Sequence, residues 1–287
     1  MSGLDETPAG AIDIGDLRVQ RLGFGAMRIS NARADDGSHD PEVARQLVRR
    51  AVDRGVTFID TANIYGLGRS EELIAEALRP YPSDLVIATK SGYEVRMLAP
   101  GEKRLPASGR PDHLKAECEK SLRRLRLDRI DLYQLHAPDP AVPYAESVGA
   151  LVELQREGKI RHIGVSNVTT EQLAEAMGLC EVVSVQNRYN AGERAAEPVL
   201  ELCEQAGIAF LPWQPIVRDD ARRQAAAAIA AVHHATEQQV ALAWLLHRSP
   251  VMLPIPGTTK LAHLDANIDA AWIELSDDEF TLLGATA

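Results

Sequence analysis

Short apolar runs rich in β-branched residues alternate with longer stretches of helical period along this chain of 287 residues. The runs fall at residues 21–25, 56–60, 85–89, 130–136, 160–165, 182–186, 208–212 and 251–255. Most are continuously apolar and not alternating, the pattern of parallel strands covered on both faces. Between them Val43, Leu47 and Ala51 fall four apart, and Leu114, Cys118, Leu122 and Leu125 make a similar stripe, each one helix face. Gly55, Gly158 and Gly207 each end a helical stretch just before a strand, where a left-handed cap favours glycine. Eight strands alternating with helices predict an α/β fold, a (β/α)8 TIM barrel, as one domain over residues 1–287. A doubly wound sheet would be expected to show a composition break or linker, and none is seen. Ahead of the first strand, residues 11–20 alternate around Gly15-Asp16, predicting a β-hairpin that plugs the barrel's N-terminal end. Two connections are long. Residues 91–110 carry Gly92, Pro100, Gly101, Pro106 and Gly109 and no convincing helix, which reads as a substrate-covering loop. Residues 219–248 read as mostly helical.

Composition narrows the function. Hydrophobic residues at 45% and charged residues at 25% are those of an ordinary soluble domain. The formal charge of −10 argues against nucleic acid or an anionic membrane surface as partner. It leaves an anionic small molecule open, because one local basic pocket suffices. Cys118, Cys180 and Cys203 are odd in number and far apart, as expected of reduced thiols. The acidic start has no signal-peptide pattern, and the most apolar stretches fall well short of the roughly 20 residues of a membrane span. A cytoplasmic protein without membrane partner, monomeric by default, is expected.

In an α/β barrel the reacting groups sit at the C-terminal ends of the strands. Here the second strand ends in Asp60, the third in Lys90 and the fourth in His136, with Tyr65 five residues beyond the first of these. Singly, each has an ordinary explanation: a turn cap, a surface charge, a core histidine, a packing ring. All four on one barrel face point to chemistry. No metal site is read from the chain.

With Gly55-Val56-Thr57-Phe58-Ile59-Asp60-Thr61-Ala62, Tyr65-Gly66, Lys90, Asp131-Leu132-Tyr133-Gln134-Leu135-His136 and Gly164-Val165-Ser166-Asn167, the sequence resembles the aldo-keto reductase superfamily over nearly its whole length. The resemblance implies a catalytic tetrad of Asp60, Tyr65, Lys90 and His136. Reduction of a carbonyl puts hydride on carbon and a proton on oxygen. Tyr65 is then the general acid, and Lys90, held charged by Asp60, is expected to lower a phenol pKa that is ordinarily about 10. His136 would orient the carbonyl and stabilise its developing charge.

No side chain supplies hydride, so a nicotinamide cofactor is implied. The run Gly23-Phe24-Gly25-Ala26-Met27-Arg28 is not a dinucleotide fingerprint, since Arg28 takes the third glycine's place. It reads as a glycine-lined loop, with Gly25 and Met27, approached closely by the nicotinamide. The resemblance further implies Ser166, Asn167 and Gln186 for the carboxamide and Trp213 for ring stacking, followed by Gln214 and Pro215. Pro256, Gly257, Thr258, Thr259, His263 and Asn267 would take the adenosine end, with Lys260 nearby. Gly257 and His263 depart from the lysine and arginine common there, and NADPH is still favoured over NADH. The expected activity is reduction of small-molecule aldehydes or ketones. Two alternatives stand beside it: a cofactor-binding regulatory or redox-sensor subunit with little turnover, and a Schiff-base lyase using Lys90, which would leave Tyr65 and His136 unexplained.

Overall fold

A computed structural model describes residues 7–33, 37–38, 40–99, 102–214 and 220–285. The chain opens with an antiparallel hairpin of β1 (Ala11–Ile14) and β2 (Leu17–Gln20), paired Ile14 to Leu17 at the turn. Next come β3 (Phe24–Gly25), β4 (Phe58–Asp60) and β5 (Val86–Ser91). A second hairpin, β6 (Arg96–Ala99) with β7 (Glu102–Arg104), stands outside the main sheet. It occupies the connection read from sequence as loop. β8 (Ile130–Leu135), β9 (Ile160–Ser166), β10 (Val182–Gln186) and β11 (Ala209–Phe210) complete seven strands, parallel and in chain order.

The eighth predicted strand makes no ladder of its own, for a chemical reason. Pro254 and Pro256 have no N–H to give. Their carbonyls still accept from Gly23 N at 2.9 Å and Gly25 N at 3.1 Å. On its other side the segment pairs with Phe210, which exchanges hydrogen bonds of 2.8 Å with Val251 O and Leu253 N. The (β/α)8 barrel closes through residues 251–256. Gly25 and Gly257 make this closure possible: a Cβ on either would lie 2.5 Å from a carbonyl oxygen of the facing segment. Their smallness thus serves backbone packing between the first and last strands.

The helices are α1 (Pro41–Asp53), α2 (Arg69–Leu78), α3 (Pro111–Leu125), α4 (Tyr144–Arg156), α5 (Thr170–Leu179), α6 (Glu197–Ala206), α7 (Asp220–Val232), α8 (Glu237–Arg248), α9 (Leu261–Asp269) and α10 (Asp277–Gly284). The helical stretch after β11 is two helices, because Thr236 and Gln239 form a capping box that starts α8 afresh.

Strand alternation sorts the core. Ile59, Ile87, Tyr133 and Ile163 face outward and pack under the helices. Phe58, Val86, Ala88 and Leu132 face the barrel axis, where Ile14 and Val19 of the hairpin join them, both fully buried. The hairpin is the predicted plug. Along each strand the next inward position has turned polar by the C-terminal end: Phe58 gives way to Asp60, Ala88 to Lys90, and Leu132 to Gln134. The same period of two that builds the core therefore delivers charged groups to the barrel mouth.

Candidate active site

Lys90 is 0% exposed, and its ammonium uses all three protons. It donates to Asp60 Oδ1 at 2.6 Å, Asp60 Oδ2 at 2.7 Å and Thr61 O at 2.7 Å. Asp60 Oδ1 also accepts from Gln186 Nε2 at 2.9 Å and Gln134 Nε2 at 3.3 Å. A buried ion pair survives only when its remaining hydrogen-bonding positions are filled in this way. A lysine so engaged has no free lone pair with which to attack a carbonyl, which counts against a Schiff-base role.

Tyr65 starts a 3₁₀ turn (Tyr65–Gly68) in the connection from β4 to α2, which carries its ring over the ion pair; Lys90 Nζ lies 5.2 Å from the ring centroid. His136, just past β8, meets Tyr65 edge to face at 6.0 Å between centroids. Tyr93, just past β5, packs on the other side of the imidazole at 4.8 Å. The His136 backbone is fixed by its N–H to Ser91 O at 2.8 Å. Its Nδ1 is buried without a hydrogen-bond partner among the described residues.

Burial dominates the protonation of all three groups. It drives Tyr65 well above the usual phenol value, with the Asp60 carboxylate and Tyr93 adding to the effect. Burial also lowers Lys90, against the opposing pull of Asp60. His136 is pushed well below the usual imidazole range by burial and then by the Lys90 charge. The sequence-based expectation of a lowered Tyr65 pKa is not met. The lysine charge is already matched by Asp60, and the packing around the phenol outweighs what remains of it. Tyr65 is thus a firmly protonated phenol and His136 a neutral imidazole in this state.

Asp60, Tyr65 and His136 line a cleft of about 1140 Å³ together with most of the residues expected for a cofactor, and Lys90 lies beneath its wall. Gly25, Met27, Ser166, Asn167 and Gln186 all face it, as do Trp213, Gln214, Pro256, Gly257 and Thr259. Asn167 joins four strand ends: its N–H bonds Gln186 O at 3.0 Å, and its Nδ2 bonds His136 O at 2.9 Å and Ser166 Oγ at 3.1 Å. Its Oδ1 accepts from Trp213 Nε1 at 3.1 Å. Thr258, His263 and Asn267 stand back from the cleft wall; Asn267 is buried, with Oδ1 accepting from Gln238 Nε2 at 2.5 Å and Nδ2 unpartnered. Pro215 lies outside the described residues. Arg28, Tyr93, Leu105 and Gln238 line the cleft without having been picked out as site residues. The Thr236–Gln239 box, which fixes where α8 begins, was the available signal for Gln238.

Residues 21–286 match the family model described as the aldo/keto reductase family. The chain belongs to the aldo/keto reductase family. It is 42% identical over 284 residues to an uncharacterized oxidoreductase of Schizosaccharomyces pombe, covering 98% of this chain and 91% of that one. It is 38% identical over 280 residues to pyridoxine 4-dehydrogenase of Escherichia coli, covering 94% and 96%. The crystal structure of an aldo/keto reductase from Klebsiella pneumoniae in complex with NADP and acetate superposes with a TM-score of 0.79 at 28% identity, covering 95% of this chain and 93% of the other. This member of the family is an NAD(P)H-dependent oxidoreductase. Among the described residues no helix is long and apolar enough to cross a membrane.

Proposed function

We propose that this aldo/keto reductase interconverts a small aldehyde or ketone and its alcohol with NADPH as hydride donor and Tyr65 as proton donor. The observation that carries the reading is the fully buried Lys90–Asp60 pair at the cleft floor, with Tyr65 and His136 standing over it. In this arrangement a carbonyl oxygen placed between the phenol and the imidazole meets two hydrogen-bond donors. The Tyr65 proton passes to that oxygen as negative charge develops, and the Lys90 ammonium stabilises the phenolate left behind. Burial makes the Tyr65 phenolate costly in the resting site, so the proton leaves only when a stronger base forms against it. A neutral His136 keeps the carbonyl in place through its cleft-facing nitrogen.

The cleft fits a dinucleotide. Its volume exceeds the range of about 300–1,000 Å³ typical of small-molecule sites, leaving room for a second reactant. Ser166, Asn167 and Gln186 would hold the carboxamide, Trp213 would stack on the ring, and a nicotinamide held there supplies the hydride. At the adenosine end, no side chain caps the first turn of α9, so its amides remain open to a phosphate. Thr258, Thr259, Lys260 and His263 lie at or next to that turn, with Asn267 further along α9, a set that favours NADPH over NADH.

The test is loss of reduced-nicotinamide absorbance with a panel that includes pyridoxal, 4-nitrobenzaldehyde and dicarbonyls. Turnover is expected with NADPH, and Tyr65→Phe should lower it about 10²–10⁴-fold with NADPH affinity retained. Near-normal turnover in that variant would remove Tyr65 as proton donor. Tight NADPH binding with no oxidation by any carbonyl would turn the reading to a regulatory subunit.

A further inference from the structure

Among the described residues, the Asp, Glu, Lys and Arg side chains that are fully buried are Asp60, Lys90 and Glu71. The first two form the floor of the candidate site. Glu71 belongs to neither the cleft wall nor the surface, and a carboxylate is seldom carried so deep without a task. It sits in the first turn of α2, six residues after Tyr65, on the outer side of β5. Thr89, the residue next to Lys90, donates its hydroxyl to Glu71 Oε1 at 2.6 Å. Arg124 Nε of α3 donates to Glu71 Oε2 at 2.5 Å, and Arg124 Nη2 reaches Ser121 Oγ at 3.3 Å. The guanidinium passes directly beneath Gly68, where a Cβ would lie 2.6 Å from Arg124 Cδ and Nε. Gly68 has φ +93 and closes the turn begun by Tyr65. One carboxylate thus ties together the strand that carries the lysine, the turn that carries the tyrosine, and α3.

We propose that Glu71 is a positioning residue for Lys90 and Tyr65, acting through Thr89 and Arg124. The proposal rests on the reading of Tyr65 as proton donor assisted by Lys90. Lys90 faces Asp60 from β4, Tyr65 from the turn, His136 from the end of β8, and Glu71 through β5. Of these, Asp60 and Glu71 favour its charge, His136 is neutral, and burial opposes. Glu71 in turn faces Arg124, with the protonated Tyr81, Cys118 and Tyr133 around it. Loss of its charge should let Lys90 deprotonate at lower pH.

The experiment is kcat/KM for NADPH-dependent reduction of 4-nitrobenzaldehyde from pH 6 to 10.5, in the wild type, Glu71→Gln and the double variant Glu71→Gln/Arg124→Met. The alkaline limb of the wild type should follow Lys90. In Glu71→Gln it should move down by about one pH unit, an approximately tenfold loss above the limb with much less change below it. The double variant leaves no orphan charge to prevent folding, and its limb should fall by a smaller amount. A wild-type limb in these folded variants, or an equal loss of rate at every pH, would overturn the proposal and leave Glu71 as packing. Failure of the proton-donor reading shows elsewhere, as retained turnover in Tyr65→Phe.

Discussion

The two ends of the barrel interior are made from the same strands and solve the burial of polar groups in opposite ways. At the plug end the hydrogen bonds close on the chain itself. Among the described residues Arg21 has no carboxylate partner, yet its guanidinium donates to Ala9 O, Leu246 O, Ser249 O and Met252 O at 2.5–3.2 Å. Asp16, at the hairpin turn, accepts from Arg161 and lies 2.6 Å from His162 Nε2. At the cleft end the ion pair is saturated, but among the described residues His136 Nδ1 beside it is buried without a partner. Unmet hydrogen-bonding capacity is costly to stability and useful to a ligand. The plug end is built for folding. The cleft end leaves polar capacity unmet within the fold.

The sharpest way to break that division is to remove Lys90. Lys90→Met leaves Asp60 as an unpaired carboxylate deep in the barrel, which should cost about 3–5 kcal/mol in denaturant unfolding and abolish carbonyl reduction. Asp60→Leu/Lys90→Met removes both charges and should recover most of the stability and none of the turnover. Recovery of activity in the double variant would show that the pair only props up the fold. A smaller effect is expected at the other end. Gly15 has φ +62, and a Cβ there would lie 2.3 Å from His162 Cε1. Gly15→Ala should therefore cost about 1–2 kcal/mol for the left-handed backbone alone, with kcat and KM unchanged in the folded fraction. A fall in kcat would mean that the plug communicates with the cleft.

What was legible in the sequence follows the same division. Strand periodicity located the seven ladder strands to within a few residues, and residues 182–186 matched β10 without adjustment. The hairpin and its plugging role followed from alternation around Gly15. The placement of Asp60, Lys90, Tyr65 and His136 at one cleft was readable because strand ends in a barrel converge by rule. What escaped reading depends on tertiary packing. Glu71 looks like an ordinary acid in a helix's first turn, and only the register of α2 on β5 and α3 buries it. Gly25 read as room for a cofactor and Gly257 as the place of a missing lysine, whereas the closing of the barrel brings their backbones together. The rise in the Tyr65 pKa was equally hidden, since an estimate from one lysine charge omits the burial that outweighs it.

The finest test of the comparison is the response to acid. His136 has its pKa depressed in the folded state by burial and by the nearby Lys90 charge, while the unfolded chain takes up a proton near the ordinary value of about 6.5. Stability associated with this ring is therefore fully present above about pH 6.5 and is lost as pH falls through that value toward the folded one, by no more than about 1.4 kcal/mol per unit. His136→Asn, which has nothing to titrate there, should show a shallower decline in unfolding free energy between pH 7.5 and 5. Because the imidazole stays neutral in the folded enzyme, kcat for carbonyl reduction should carry no acid limb near 6.5. Equal stability slopes in the two proteins would mean that His136 accepts its proton within the fold. The cleft end would then contain a hydrogen-bond partner for that ring, as closed in its polar contacts as the plug beneath it.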